Sequence, residues 1–439
     1  MTRAITTVKL GILASALRDL SKRVKILPFA GDVPEEAIAL RPQHYVHPAK
    51  WGVAVIESWS KTKGKTGSKH IWDEMIHFAN HERASVNLRF RYFMDGIQRT
   101  TPIGQVRIRK NSFETVPIHL AQIGVALLRR DRHTLKPAVE EARLLLEFPS
   151  AFVRSETNIS ELKTDILAEI AHKAGKSLQT VDTSFRVAKL KESEAHDMKD
   201  VVELDGIKYP RIPTDELWNW CTDPAQFRSQ ARRWTTRYRD IVEQHLYDKA
   251  LQRAQATADP AHYDFVVKDG SLTHARGEVV KRALGVIKNF GTIFLDRSQM
   301  VKVLGLPYGY RSPVFTKTRP EGDPDESDIY DPEAPGRKLK LVSWYVRIRP
   351  VEHHDPLWGL LRVEMHVDSL ASQGHIGRWN EKDTDLIDAV SQQLALEASP
   401  TSQPDPRWSN LLYPIRCCER YLRSRALPHT TARFLLGGS

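Results

Sequence analysis

FRYFMDG at residues 90–96 and YDFVVKDG at 263–270 each run from a hydrophobic strand into Asp-Gly. The first belongs to VNLRFRYFM at 86–94, which alternates apolar and polar residues before an aromatic finish, a pattern typical of a half-buried strand. We therefore expect the strands to end at Asp95 and Asp269, where glycine permits a tight turn and a close backbone approach. Either dipeptide alone is more typical of a hairpin turn. Two matched carboxylates on neighbouring strands, however, could hold a divalent cation through oxygen ligands.

The composition indicates a globular protein with a core of its own. The 439 residues, with a mass of 50.1 kDa, allow two or three domains of ordinary size. Hydrophobic residues make up 41% and charged residues 27%, which excludes a chain disordered throughout. No stretch approaches the ~20 apolar residues of a transmembrane helix, and residues 1–23 lack a signal-peptide core. These features predict a cytoplasmic protein without a membrane segment.

The three cysteines exclude a disulfide framework. Cys417 and Cys418 are adjacent and Cys221 stands alone, so no Cys-x-x-Cys metal or redox motif exists. This cysteine usage predicts a reducing compartment.

The chain is strongly basic, with 65 Lys and Arg residues against 54 Asp and Glu, a formal charge of +11 and a pI near 9.4. Such a balance favours polyanionic partners, although basic residues can also form an ordinary solvated surface. They cluster at 107–110, 129–132 and 228–239, and the last cluster has Trp234 and Tyr238 interleaved. Phosphate contacts combined with stacking on bases are typical of nucleic-acid binding. The predicted DNA-binding residues are Arg107, Arg109, Lys110, Arg232, Arg233 and Arg237.

The rest of the chain mixes strand and helix patterns. Residues 116–130 fit a strand, a helix or both, whereas 135–200 are predicted to be mostly helical, with Asn158 and Ser160 as caps and Gly175 as a stop. Carboxylates at strand ends of a mixed α/β sheet favour a site at the edge of the sheet. Further predicted elements are a helix at 229–256, strands at 283–295, 343–350 and 359–367, an exposed acidic loop at 319–337, and helices at 381–397 and 410–425.

The order of these segments resembles the NurA nuclease family. The similar pieces are YFMDGIQRTTPIG, FVVKDGSL followed by GVIKNFG, YVRIRP with LLRVEMH, and LYPIRCCERYL. The resemblance implies an α/β fold with an RNase H-like mixed sheet flanked by helices. It also implies an N-terminal extension at 1–80 and a nuclease domain at 81–439. In that domain we expect two interruptions, a helical insertion at about 135–225 and an acidic loop at about 319–337.

The resemblance assigns metal ligands residue by residue. Asp95 and Asp269 match the family's first and later acidic ligands, and Glu243 matches the helical glutamate, with Asp248 as the alternative because the helix register is open. In the C-terminal motif the chain keeps Tyr413-Pro414 but has no histidine within LYPIRCCERYL, residues 412–422. The nearest residue there able to bind a metal is Glu419, which would favour manganese or magnesium through oxygen.

The implied chemistry is phosphodiester hydrolysis with two divalent ions, Mn²⁺ or Mg²⁺, held by these carboxylates. Lys288, in the strand after the second Asp-Gly, would stabilise charge on the phosphate or would be an ordinary strand lysine. The resemblance further implies a homodimer that works on DNA with a HerA-like hexameric ATPase, in end processing or anti-phage defence. The alternative is a catalytically weakened nuclease-like subunit that binds DNA and regulates the ATPase.

Three other motifs carry weaker signals. Glu352-His353-His354-Asp355 follows Pro350 and is more typical of a solvated turn than of a metal site. Glu364 alternates with apolar residues and would either pair with a nearby arginine or lie near the site. Gly64-Lys65-Thr66 lacks the leading glycine of a Walker A loop, so it predicts a flexible basic loop and no nucleotide site.

Overall fold

The structure is a computed structural model. It describes residues 26–27, 52–55, 75–78, 88–107, 115–151, 178–187, 201–204, 206–221, 223–255, 263–272, 282–288, 295–318, 341–352, 354–371, 379–400 and 408–428. Several predictions lie outside these residues, namely those for residues 1–25, the loop at 61–70, the helix caps near 158–175, the acidic loop at 319–337, and Arg109 and Lys110.

The described elements are mostly strands before residue 212 and alternate with helices afterwards. The strands are β1 (Ile26–Leu27), β2 (Gly52–Val55), β3 (Ile76–His77), β4 (Leu88–Arg107), β5 (Thr115–Asp131), β6 (Thr134–Phe148), β7 (Leu178–Asp182), β8 (Val201–Leu204), β9 (Ile207–Pro210), β10 (Tyr263–Asp269), β11 (Ala283–Ile287), β12 (Tyr310–Arg311), β13 (Phe315–Thr318), β14 (Leu341–Arg347) and β15 (Leu360–His366). The α-helices are α1 (Thr214–Trp220), α2 (Pro224–Gln255), α3 (Arg297–Leu304), α4 (Glu381–Leu396) and α5 (Tyr413–Arg423), with short 3₁₀ helices at Val367–Ser369 and Trp408–Asn410.

One mixed sheet organises the described residues. Its strands follow the order β2-β13-β14-β15-β11-β10-β4-β5-β6-β7, while β8 and β9 form a separate pair. An antiparallel meander of β4, β5 and β6 is joined at β4 by the parallel strands β10 and β11. The antiparallel strands β15 and β14 then extend the sheet. The predicted α/β fold, a mixed sheet flanked by helices, is confirmed.

The sheet buries two apolar faces under different helices. One face packs Tyr92 and Met94 of β4 against α2, whose Trp234, Val242 and Leu246 are buried there. The opposite face packs Phe93 against α4 and α5 in a second cluster. Because successive strand residues point to opposite faces, the position of a residue along β4 decides which helix it meets.

The prediction that the first strand ends at Asp95 is wrong. β4 continues for twelve residues beyond it, and Asp95 pairs with Ala126 and Gly96 with Val125 of β5. The long antiparallel pairing with β5 supplies backbone partners through the Asp-Gly pair, so no turn forms there. The second Asp-Gly does turn, because β10 ends at Asp269 and Gly270 has a φ of +97°, a left-handed conformation that favours glycine.

The predicted helical insertion at 135–225 is wrong for most of its described residues. Residues 134–148 form β6, which pairs with β5 from Asp131↔Thr134 to His119↔Glu147. A tight turn with Arg132 at φ 54° joins the two strands. Alanine, leucine and glutamate in this stretch favour a helix, but sheet pairing overrides such weak local preferences. The open choice at 116–130 is likewise decided in favour of a strand, β5.

The sequence also predicts no disulfide framework and no membrane-spanning segment. All three cysteines are free thiols, and Cys418 is buried. None of the helices in the described part of the chain has the length and apolar character needed to cross a membrane.

Candidate active site

Asp95 and Asp269 lie side by side where β10 leaves β4. The two strands are parallel, and their last registered pair is Met94 with Lys268. The aspartates are the next residue of each strand, so both carboxylates point to the same face of the sheet. That face is the one covered by α4 and α5, since Phe93, two residues before Asp95, belongs to that core cluster.

Lys288 and Glu419 approach the same position from two other elements. Lys288 is the residue after β11, and its ammonium lies 2.7 Å from Oδ2 of Asp269. On α5, the thiol of Cys418 lies 3.2 Å from a carbonyl oxygen of β4, which holds the helix against the strand. Glu419 follows it and pairs with Arg423, one turn further on, at 2.8 Å.

The electrostatics of Asp95 show that these groups act on one another. The carboxyl group is buried, and burial raises its pKa well above the usual value. The negative charge of Asp269 raises this pKa further, Lys288 lowers it, and Glu419 and Glu243 add smaller increases. Carboxylates gathered in this way repel one another unless a cation compensates their charge.

Glu243 reaches the group from the other face of the sheet. Side chains alternate along β4, so Gly96 points away from the face of Asp95, and Glu243 on α2 packs directly over Gly96. A Cβ atom at Gly96 would overlap Oε1 of Glu243, so glycine is needed for this approach. Lys268 Nζ lies 2.8 Å from Oε2 of Glu243, and Arg239 Nε lies 3.2 Å from Oε1.

The helix register at Glu243 is therefore fixed by packing. Asp248, the alternative in the sequence, accepts a hydrogen bond from Nε2 of Gln244 at 3.0 Å and is not among the charges that shift the pKa of Asp95. Among the three carboxylates around Asp95, Glu243 has the smallest effect, as expected for a residue on the opposite face.

The donor set suits a hard divalent cation such as Mn²⁺ or Mg²⁺, because it consists of carboxylate oxygens. A bound cation would also relieve the repulsion that raises the pKa of Asp95. In the present conformation, basic side chains neutralise the carboxylates instead. Within the described ranges, no three His, Cys, Asp or Glu side chains are arranged to hold a metal ion together. Binding an ion would therefore require the carboxylates to exchange basic partners for it. These partners are Lys288, Lys268, Arg239 and Arg423.

The predicted basic face of α2 is divided between two sides of the helix. Arg232 lies near His119 of β5, and burial together with the charges of Arg228 and Arg232 lowers the pKa of that histidine to about 3. Arg237 instead donates from Nε to the hydroxyl of Tyr209 at 2.6 Å. Arg233 lines an open cavity beside α1.

The interleaved aromatic residues are in the core, so the prediction that they stack on bases is wrong. Trp234 is 2% exposed and donates from Nε1 to the carbonyl of Phe185 at 2.8 Å. Tyr238 is also buried. The two residues are four apart, so both lie on the side of α2 that faces the sheet.

The other predicted positions lie away from this group. Arg107 is the last residue of β4. Glu352, His354 and Asp355 are in an exposed turn between β14 and β15, as predicted, and His354 stacks on Trp358 with ring centroids 4.0 Å apart.

Sequence reasoning missed the basic residues that pair with Glu243. Lys268 directly precedes Asp269, and Arg239 lies one helical turn before Glu243. The spacing of Arg239 and Glu243 could have predicted their ion pair from the sequence, because residues four apart on a helix are neighbours.

Comparison with solved structures finds a distant likeness. No family model and no curated protein matches the chain. The crystal structure of the NurA nuclease from Sulfolobus solfataricus is similar over 80% of this chain and 83% of that chain, with 13% sequence identity and a TM-score of 0.29.

Proposed function

We propose that this protein is a divalent-metal-dependent nuclease that hydrolyses phosphodiester bonds in DNA. The observation that carries the proposal is the convergence of Asp269, Glu419, Glu243 and Lys288 on the buried Asp95. These side chains come from five different elements or their ends. Two of them, Asp95 and Glu243, are buried and the others are partly buried, and such a concentration of charge is unfavourable unless it serves binding or catalysis. The resemblance of the flanking motifs to the NurA family supports the same conclusion.

The residues divide into ligands and a charge-stabilising group. Asp95, Asp269 and Glu419 would hold the ions on one face, and Glu243 would contribute from the other. A pair of Mn²⁺ or Mg²⁺ ions supplies activation of water and stabilisation of the leaving oxygen. The ammonium of Lys288, which lies beside the carboxylate of Asp269, would neutralise charge on the phosphate.

The experiment is a cleavage assay on linear, circular and single-stranded DNA in Mn²⁺, with an RNA of the same sequence for comparison. Asp95→Ala and Asp269→Ala should each abolish cleavage, because each removes a ligand from the shared group. Asp248→Ala is the matched control on α2 and should retain activity, because its carboxylate pairs with Gln244. Wild-type cleavage in either aspartate variant would contradict the assignment.

A second candidate is a nuclease-like subunit with weakened catalysis that binds DNA and regulates a partner ATPase. Two observations favour it. No histidine follows Tyr413-Pro414 within LYPIRCCERYL, residues 412–422, and Glu419 is engaged by Arg423. A protein that binds DNA and changes ATPase turnover, yet cleaves nothing in Mn²⁺ or Mg²⁺, would establish this alternative.

The proposed partner is a HerA-like hexameric ATPase, and the proposed assembly is a homodimer on it. Both follow from the family resemblance. The sequence supports the partner, because the chain lacks a complete Walker A loop and movement along DNA would need another source of energy. Repair of DNA ends and anti-phage defence are the settings we propose.

A further inference from the structure

Glu364 on β15 is a fully buried carboxylate whose hydrogen bonds reach the turn after Asp269. The side chain is 0% exposed. Its Oε2 accepts a hydrogen bond from the Ser271 hydroxyl at 2.6 Å and another from the Leu272 backbone N–H at 3.0 Å. Its Oε1 pairs with Arg362 of the same strand at 3.3 Å, one of the two roles predicted for Glu364 from the sequence. The two hydrogen bonds that Oε2 accepts from one turn fix the position of that turn.

The carboxylate reaches the turn across β11 because Gly285 has no side chain. Gly285 is in register with Glu364 on one side and with Lys268 on the other. A Cβ atom there would lie 2.8 Å from the carbonyl oxygen of Gly270 and 2.9 Å from Cγ of Leu272. The turn therefore folds back over Gly285, which brings it within reach of β15.

The turn also connects the two faces of the candidate site. The ammonium of Lys268 lies 2.8 Å from Oε2 of Glu243 and 3.5 Å from the carbonyl oxygen of Ser271. The turn anchored by Glu364 thus begins at Asp269 on one face and contacts the partner of Glu243 on the other.

We propose that Glu364 is a positioning residue for the metal site. By holding Ser271 and Leu272, it sets where Asp269 presents its carboxylate beside Asp95. This inference rests on the proposed function. Groups that orient metal ligands through hydrogen bonds typically change metal affinity or activity by about 10- to 100-fold when removed.

The test compares Glu364→Ala, Glu364→Gln and Ser271→Ala in the full-length chain. Mn²⁺ affinity is measured without turnover, from the rise of Tm during Mn²⁺ titration, and kcat and KM for DNA are measured separately. Glu147→Gln is the matched control. It makes the same change at an equally buried carboxylate, on β6, whose Oε1 accepts from Thr235 at 2.8 Å.

We expect Glu364→Ala to weaken Mn²⁺ binding by about tenfold or more and to lower kcat while KM for DNA changes little. Glu364→Gln keeps an acceptor oxygen and should recover most of both. Ser271→Ala should cause a smaller loss that does not add to the loss in Glu364→Ala. Glu147→Gln should match the wild type in both readouts.

The outcomes separate this inference from the proposed function. If wild-type protein shows neither Mn²⁺-dependent stabilisation nor cleavage, the proposed function fails, and the inference fails with it. If the wild type shows both, and either Glu364→Ala or Ser271→Ala matches it in Mn²⁺ affinity and kcat, Glu364 is only structural and the inference is overturned. If Glu364→Ala does not fold, Ser271→Ala decides the question.

Discussion

At the scale of single residues, the absent side chain of Gly96 allows α2 to bring Glu243 to the site. The nearest atoms to a Cβ at Gly96 are Oε1 of Glu243 and, at 3.2 Å, Cδ of Arg239. A methyl group there would displace the carboxylate and its basic partner together. Glycine in a strand interior otherwise weakens the strand, which indicates that this close approach is the reason for it.

We expect Gly96→Ala to abolish most cleavage and to lower the Mn²⁺-induced rise in Tm, because Glu243 must move away from β4. Gly124→Ala on the paired strand β5 is the control. Its Cβ would meet side-chain carbons of Ile97 and Leu422 at 3.3 and 3.4 Å, a tight contact of flexible apolar groups. Equal activity of the two alanine variants would show that the position of Glu243 is immaterial.

His119 predicts a pH dependence of stability. Burial and the charges of Arg228 and Arg232 lower its pKa to about 3 in the folded protein, from an ordinary value of 6.5. The folded state therefore disfavours protonation of His119. The contribution of this neutral histidine to stability is fully present above pH 6.5 and is lost as the pH falls from 6.5 toward 3. Between pH 6.5 and 5 this one group should cost about 2 kcal/mol of unfolding free energy.

The measurement is denaturant unfolding of wild-type protein and His119→Gln at pH 6.5 and at pH 5. Between these pH values the unfolding free energy of the variant should fall by about 2 kcal/mol less than that of the wild type. Glu147, opposite His119 on β6, works in the other direction, because burial raises the pKa of its carboxyl. Comparison of the wild type with His119→Gln, which keeps Glu147, isolates the contribution of the histidine.

At the scale of elements, α2 presents arginines to two different surroundings. Arg232 lies on the side near β5, whereas Arg237 is held by Tyr209. Only the first side leads along the helix toward Arg239 and Glu243, since residues three, four and seven apart share a helix face. We therefore choose Arg232, rather than Arg237, as the candidate for a DNA contact on α2.

We predict that Arg232→Glu weakens DNA binding and lowers the slope of log K against log salt. On duplex DNA the slope falls by about 0.9 for each phosphate that the protein no longer neutralises. Arg237→Gln should leave this slope unchanged and should lower thermal stability, because Tyr209 loses its donor. Titrations at several salt concentrations check both expectations. An unchanged slope in Arg232→Glu would place the DNA path elsewhere.

At the scale of the whole molecule, the N-terminal extension at 1–80 is our candidate for docking the partner ATPase. β1 at Ile26–Leu27 pairs with Val106 and Gln105 of β4, so it belongs to the main sheet. Residues 1–25 precede it and include the apolar stretch LGILASAL. A deletion that ends before β1 removes this stretch while keeping the sheet pairing.

Deleting residues 1–25 should weaken association with a HerA-like ATPase and leave metal-dependent cleavage of short single strands intact. The affinity of the two proteins and the cleavage rate are measured in parallel. If the shortened protein unfolds, the segment is part of the core and the docking prediction is wrong. If it folds and binds the ATPase as before, the docking surface lies elsewhere, and residues 135–225 become the next candidate.

The sequence by itself determined the strand character around Asp95 and Asp269, the mixed α/β class and the acidic character of the site. These features are local, because alternation of apolar residues and the identity of a carboxylate are visible without knowing what lies nearby. Local patterns also indicated the turn at Gly270, where a left-handed backbone favours glycine.

Only the tertiary structure decided that β4 continues through Asp95, that residues 134–148 form a strand, and that Trp234 is buried. It also decided that Glu243 lies behind Gly96, on the face opposite Asp95, and that Glu364 holds the turn of Asp269. Each of these features depends on packing between residues distant in the chain. Sheet pairing and the burial of a helix face outweigh local propensities of less than about 1 kcal/mol per residue, so these partners cannot be deduced from local sequence patterns.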